Sequence, residues 1–227
     1  MKRNQSGFTL VEIAIVLVII GLLLGGILKG QELVQNARVR NLADQQNAVA
    51  AAYFAFQDRY RALPGDYPAA NTNIPNVVVA PTCAAPLCVQ GDSHITLNER
   101  VFAWHHLTNA GFISCPVCAT NPTADPAAPS AANSLVNAYN GFMIIEFDNL
   151  YQVLAGGPAA LPVNNLKSGA QVPSNILAEV DRKLDDGNAS TGKFRNVIGA
   201  SSPAGCVNVA EWQSQTPAPS CEAVNLF

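Results

Sequence analysis

Glu12 is the first residue whose type and place call for chemistry. It is the fifth residue of a run, Phe8–Leu28, that carries no other charge. A carboxylate at the centre of a membrane-spanning helix costs about 2.5–3.5 kcal/mol on insertion scales, and less near an end. Such a group needs a cationic partner to justify its place. Downstream lie six cysteines in three local pairs, Cys83/Cys88, Cys115/Cys118 and Cys206/Cys221. An even count outside a membrane fits disulfides in an oxidising compartment. Zinc held by Cys83, Cys88, Cys115 and Cys118 is the rival reading, since the spacing tolerates it. Those four can also pair crosswise between the two motifs. Cys115-Pro116-Val117-Cys118 has the form of a redox motif but lacks the βαβ context that would support one.

Asp181, Asp185, Asp186 and Asn188 gather around Gly187 and offer oxygen ligands of the kind calcium takes. Against calcium, Asp181 falls on a predicted helix and Lys183 breaks the EF-hand pattern, so an exposed helix end and turn is the plainer account. His105 and His106 are adjacent, about 100° apart on a helix, and do not form an i, i+4 metal pair. No nucleophile–base set, phosphate loop or carboxylate pair is evident, so no enzyme is expected.

The elements that must position these groups begin with the apolar run. Its 21 residues span about 31 Å as helix, the thickness of a bilayer's hydrocarbon core. Lys2 and Arg3 precede it, which keeps the N-terminus cytoplasmic and sends the rest of the chain outward. No Ala-x-Ala site follows, unlike an ordinary secretory signal. Gly21/Gly25 and Gly26/Gly30 are spaced for either close helix packing or local unwinding. From Gln31 the pattern stays helical. Leu42, Val49, Tyr53, Phe56, Tyr60 and Leu63 make one apolar face, and Leu63-Pro64-Gly65 ends it. From Leu63 onward 6 Lys and Arg face 12 Asp and Glu, a net of −6. An acidic head of this kind excludes nucleic-acid binding by bulk electrostatics.

In the head, 98–113 reads as a short helix opened by Asn98 and closed by Gly111. Residues 141–157 read as two strands around Asp148-Asn149. Residues 173–199 read as helix, acidic loop and strand, started by Pro173-Ser174 and stopped by Gly187. The Ala/Pro-rich stretch 119–134 reads as a surface loop. The fold class is α+β: a long N-terminal helix, half transmembrane and half amphipathic, packed on an antiparallel sheet.

"GFTLVE" behind a short basic leader resembles the processing site of type IV prepilins and type II secretion pseudopilins. The stretches 60–66 (YRALPGD), 104–107 (WHHL) with Ala110-Gly111, and 181–187 (DRKLDDG) are similar to a subset of pilin-like proteins. The resemblance implies the following. A prepilin peptidase cuts after Gly7 and methylates the new amine of Phe8. Glu12 pairs with the N-terminal amine of a neighbouring subunit. Residues 1–7 are then leader, 8–28 the membrane and assembly helix, 29–62 its amphipathic continuation and 63–227 a periplasmic or extracellular head. The partners are the peptidase, other pilin or pseudopilin subunits, an inner-membrane assembly platform and membrane lipid. Cys206 and Cys221 would bound the C-terminal loop that pilins often close with a disulfide. Some pseudopilin heads bind calcium, which the aspartate cluster brings into question here. The expected function is a structural, minor fibre subunit, with a pilus-borne adhesin or a membrane-anchored periplasmic enzyme as alternatives.

Overall fold

The computed structural model describes residues 9–77, 91–120, 128–199 and 205–227. The chain forms two compact units, Met1–Arg38 and Val39–Phe227. Helix α1, Leu10–Tyr60, contributes to both. In the first unit every described side chain is exposed, and the helix runs unbroken through all four glycines. The Cβ direction at each of those glycines meets open space.

In the second unit the predicted stripe is the seam against the head. Leu42, Val49, Tyr53 and Phe56 are buried, joined by Val39, Ala43 and Ala52. The helix stops at Tyr60, two residues before Ala62, because Arg61 turns into the left-handed region (φ 54°). Short α2 (Ala70–Asn73) follows, then α3 (Arg100–Asn109), a 3-10 turn (Pro116–Ala119), β1 (Ile144–Asp148) and β2 (Val163–Lys167). Then come α4 (Ser174–Leu184), β3 (Phe194–Asn196), β4 (Val207–Asn208), β5 (Glu211–Trp212) and β6 (Ala223–Leu226). The main sheet has the order β1-β2-β6-β3, antiparallel throughout, so the C-terminal strand lies inside it. A long N-terminal helix followed by a four-stranded antiparallel sheet is the pilin-like α+β arrangement.

One cluster joins Val49, Tyr53 and Phe56 of α1 to Trp104 and Leu107 of α3 and to Ile145 and Leu166 of the sheet. A second joins Val39 and Leu42 to α4 and the Cys206–Cys221 region. A third, around Tyr151, Val197 and Val224, covers part of the sheet's other face.

The expected pair of strands at 141–157 is corrected. β1 is present, but its partner is β2, with Ile145 opposite Leu166. Tyr151 leaves the hairpin path and bridges Val197. The Asp148 carboxylate accepts from the Leu150 backbone (3.1 Å), which turns the chain outward. The short helix at 98–113 also starts later than Asn98, at Arg100, with Glu99 preceding it.

Gln46 lies in the α1 seam with no exposed surface, and neither side-chain polar atom has a partner among the described residues. A buried, unpaired polar group costs about 1–3 kcal/mol. Gln46→Leu is therefore expected to raise the thermal midpoint, by roughly 2–4 °C per kcal/mol recovered. A lower midpoint on thermal denaturation would mean that the amide is satisfied by water.

Candidate functional site

Gly7 and Phe8 lie outside the described residues, so the site begins at Thr9. Thr9 precedes the first helical residue, Leu10, and Glu12 is the third residue of the helix. The Glu12 Oε2 accepts from the Thr9 backbone N–H (2.8 Å) and from its hydroxyl (2.8 Å). The Glu12 N–H donates back to Thr9 Oγ1 (3.3 Å). This is a capping box, in which two helix-end donors are satisfied reciprocally. Sequence reasoning gave Glu12 only an intermolecular partner and missed Thr9, although the T-x-x-E signal stands in "TLVE". Beyond the cap, the helix is long and apolar enough to cross a membrane.

Cys115 and Cys118 are bonded to each other, as are Cys206 and Cys221. The first pair sits in the 3-10 turn, buried in the α3 core, and bonded cysteines offer no thiolate to a metal. The second brackets the β4–β5 hairpin. Cys83 and Cys88 lie outside the described residues.

His105 and His106 are buried packing groups. His106 Nδ1 accepts from the Gly65 N–H (3.0 Å), which ties the loop after α1 to α3. Gly65 has φ +95°, and a Cβ there would meet the Glu99 carbonyl at 2.8 Å. Asp66 beside it accepts from the Gly91 N–H and from the Ser93 N–H (2.6 Å). Thus two of the family-like stretches, 60–66 and 104–107, are one structural clamp.

The aspartate cluster is real. Carboxylate oxygens of Asp181, Asp185 and Asp186 lie within 4.8 Å of one another. Asn188 Oδ1 accepts from Ser190 N (2.9 Å). Each carboxylate also holds the local structure. Asp181 accepts from Trp212 Nε1 (2.6 Å) and Gly187 N (3.2 Å), and Asp185 from the Lys193 and Phe194 amides. Asp186 accepts from Asn188 N (2.8 Å) and the Thr191 hydroxyl (2.5 Å).

Burial, with Asp186 and Asp185 adding to it, pushes the Asp181 carboxyl up to about 6 against the pull of its two donors. Burial and His105 hold the His106 imidazole down to about 3. These two act in opposite directions on stability. His106 must be charged on unfolding in acid, so its contribution falls from its usual 6.5 down to about 3. Protonated Asp181 favours the folded state, and that contribution is lost as pH rises from 3.8 through about 6. Burial raises Asp66 in the same sense as Asp181. Between about pH 6 and 4 the two slopes oppose each other. Asp181→Asn is expected to expose the His106 slope, of order 1 kcal/mol per pH unit. Tm against pH for wild type and variant measures this; parallel curves would show that Asp181 titrates normally.

The sheet face turned away from α1 carries a buried ionic group that sequence reasoning missed. Lys167 donates to Glu146 and Asp148, and Arg100 Nη1 stands 3.4 Å from Glu146. Asn165 Nδ2 donates to the other Asp148 oxygen (3.0 Å). Burial pulls the Lys167 ammonium down, but the Glu146 charge and both carboxylate hydrogen bonds outweigh it and raise the group overall. The Asp148 carboxyl is lowered in turn: burial opposes the shift, and hydrogen bonds from Lys167 prevail.

Residues 2–28 match the family model of the prokaryotic N-terminal methylation motif, the prepilin-type signature. No curated protein and no solved structure matches the chain.

Proposed function

We propose that this chain, which carries a prepilin-type methylation motif at its N-terminus, is a minor structural subunit of a type IV pilus or type II secretion pseudopilus. A prepilin peptidase cuts after Gly7 and methylates Phe8. The subunit waits in the inner membrane with its head in the periplasm, then joins other pilin or pseudopilin subunits through α1 at the assembly platform. Its work is assembly rather than catalysis. The observation that carries this reading is the passage of the methylation motif straight into a capped helix whose first 29 described helical residues (Leu10–Arg38) are all exposed. In water such a surface is untenable, while lipid or the helices of neighbouring subunits cover it.

The test is the intact mass and N-terminal peptide of the protein made with and without a prepilin peptidase. Loss of residues 1–7 and a methylated Phe8 support the reading. An unchanged N-terminus, with the peptidase active on a control prepilin, defeats it. Calcium at Asp181, Asp185 and Asp186 is tested separately. A specific site at 100 times its Kd would add about 2.7 kcal/mol, visible as a Tm rise that a chelator reverses and Asp185→Asn abolishes. An unchanged Tm would leave the cluster as a helix-end and turn device.

A further inference from the structure

Two buried carboxyl groups meet in the head. Asp66, in the loop after α1, is 2% exposed, and Glu99, just before α3, is 1% exposed. Their side chains are hydrogen-bonded to each other. An ionised carboxylate only accepts, so that bond needs a proton on one of the two. Asp66 Oδ1 also accepts from the Gly91 N–H, and its Oδ2 from the Ser93 N–H (2.6 Å). Glu99 Oε2 accepts from the Thr96 N–H and from its hydroxyl (both 2.8 Å). Three pieces of chain therefore meet at one proton: the exit of α1, the 91–96 segment and the start of α3.

The groups around the pair do not take the proton's place. Burial pushes the Asp66 carboxyl up and the Asp92 charge adds to it, against the pull of the Gly91, Ser93 and Glu99 bonds. His94 Nδ1 lies 3.6 Å from Asp92. From α1, Tyr53 presents a phenol that burial, with the Asp66 charge, holds neutral. From α3, Arg100 turns to Glu146 (3.4 Å), and His106 reaches this loop only as the acceptor of the Gly65 N–H. When the shared proton leaves, two buried like charges stand where one hydrogen bond stood. A raised carboxyl stabilises the closed arrangement in acid, and that contribution is lost as pH rises above the ordinary 3.8 and through the closed-form value.

We propose that Asp66 and Glu99 form a proton-operated latch: one shared proton holds residues 91–93 on the loop after α1, and its loss as pH rises releases them. The rest of the segment stays in place. Ile95 is fully buried, its N–H donates to Asn164 Oδ1 (3.0 Å), and its carbonyl accepts from Phe147 N of β1 (2.7 Å). The latch lies wholly within the second unit and does not depend on the fibre reading.

The experiment is hydrogen exchange read by mass spectrometry on the full chain in lipid nanodiscs. It runs from about pH 4.5 to 8 with EDTA present, each rate scaled to that of an unfolded chain. Peptides carrying Gly91 and Ser93 are expected to lose protection about tenfold or more across that range, as for the loss of a hydrogen bond to a charged group. Peptides of β2 should keep theirs. Glu99→Gln replaces the shared proton with a permanent N–H donor and should hold the latch closed at every pH. Asp92→Asn removes a like charge and should move the release to lower pH. Asp92 is exposed, and asparagine keeps its bond from the His94 N–H (2.9 Å), so this variant serves if Glu99→Gln does not fold. Flat protection in the wild type, or the wild-type slope in Glu99→Gln, would overturn the latch. So would a response that Asp92→Asn abolishes, which would assign it to the Asp92–His94 pair. Protection regained at pH 8 when calcium replaces EDTA would make the pair a cation site and overturn it equally.

Discussion

Lys167→Met is expected to lower the thermal midpoint of the head by roughly 10 °C. The side chains of Lys167 and Glu146 are only 5 and 7% exposed, and that of Asp148 is 17% exposed. Methionine fills much of the lysine's volume, so packing is largely kept. The two carboxylates then face each other with Arg100, at 3.4 Å from Glu146, as the nearest remaining cation. Removing one partner of a buried ion pair costs about 3–5 kcal/mol, because the other charge stays buried without compensation. A domain's whole stability is about 5–15 kcal/mol, so this one side chain decides a large share of it. The pH dependence should also change. In the wild type, Lys167 lowers Asp148, and that stability is present above the ordinary carboxylate range and fades as pH falls through the folded value. In Lys167→Met the unpaired carboxylates favour protonation, so the variant should recover toward wild type on acidification. Adding Glu146→Leu and Asp148→Asn should restore most of the loss at neutral pH, since neutral replacements remove the stranded charge. A Lys167→Met variant that melts within about 2 °C of wild type would show that water reaches the group and that the ion pairs contribute little.

That cluster also shows where the sequence stops speaking. Glu146, Asp148 and Lys167 meet only because Ile144 pairs with Lys167 and Asp148 with Val163, a register set by β2. β2 reads Val-Asn-Asn-Leu-Lys, and its two asparagines are poor strand formers. Their side chains are used instead: Asn164 accepts from Ile95 N and donates to Ser93 O, and Asn165 donates to Asp148. No local pattern announces such bonds. The α1 seam was legible because its period of 3.6 survives over six turns, and α4 because Pro173-Ser174 and Gly187 mark its ends. Asp181 was legible as an unusual acid near a turn. Its partner Trp212, 31 residues away, was not, because the contact depends on how the β4–β5 hairpin folds back onto α4.

Glu12 has two jobs that substitutions can separate. The first is local: it satisfies the Thr9 N–H and so helps start the helix. The second belongs to the proposed fibre, where its charge pairs with the amine of a neighbouring Phe8. Glu12→Gln keeps an acceptor for Thr9, since glutamine serves in a capping box, but has no charge. Thr9→Ala removes the hydroxyl part of the cap and leaves the charge. If the ion pair drives assembly, Glu12→Gln should be cleaved and folded yet enter sheared fibres about tenfold less or worse, because the ammonium left in the packed helices is unpaired. Thr9→Ala should assemble near wild-type levels, since a lost cap hydrogen bond costs only about 1 kcal/mol. Both variants should keep the wild-type melting temperature of the head, whose core begins at Val39. The reverse pattern, with Glu12→Gln assembling normally and Thr9→Ala failing, would make Glu12 a helix cap and remove the charge pair from the mechanism. A carboxylate so near the end of a helix long and apolar enough to cross a membrane is affordable because the cap already engages it. It is worth keeping as a carboxylate rather than an amide only if a cation later needs it.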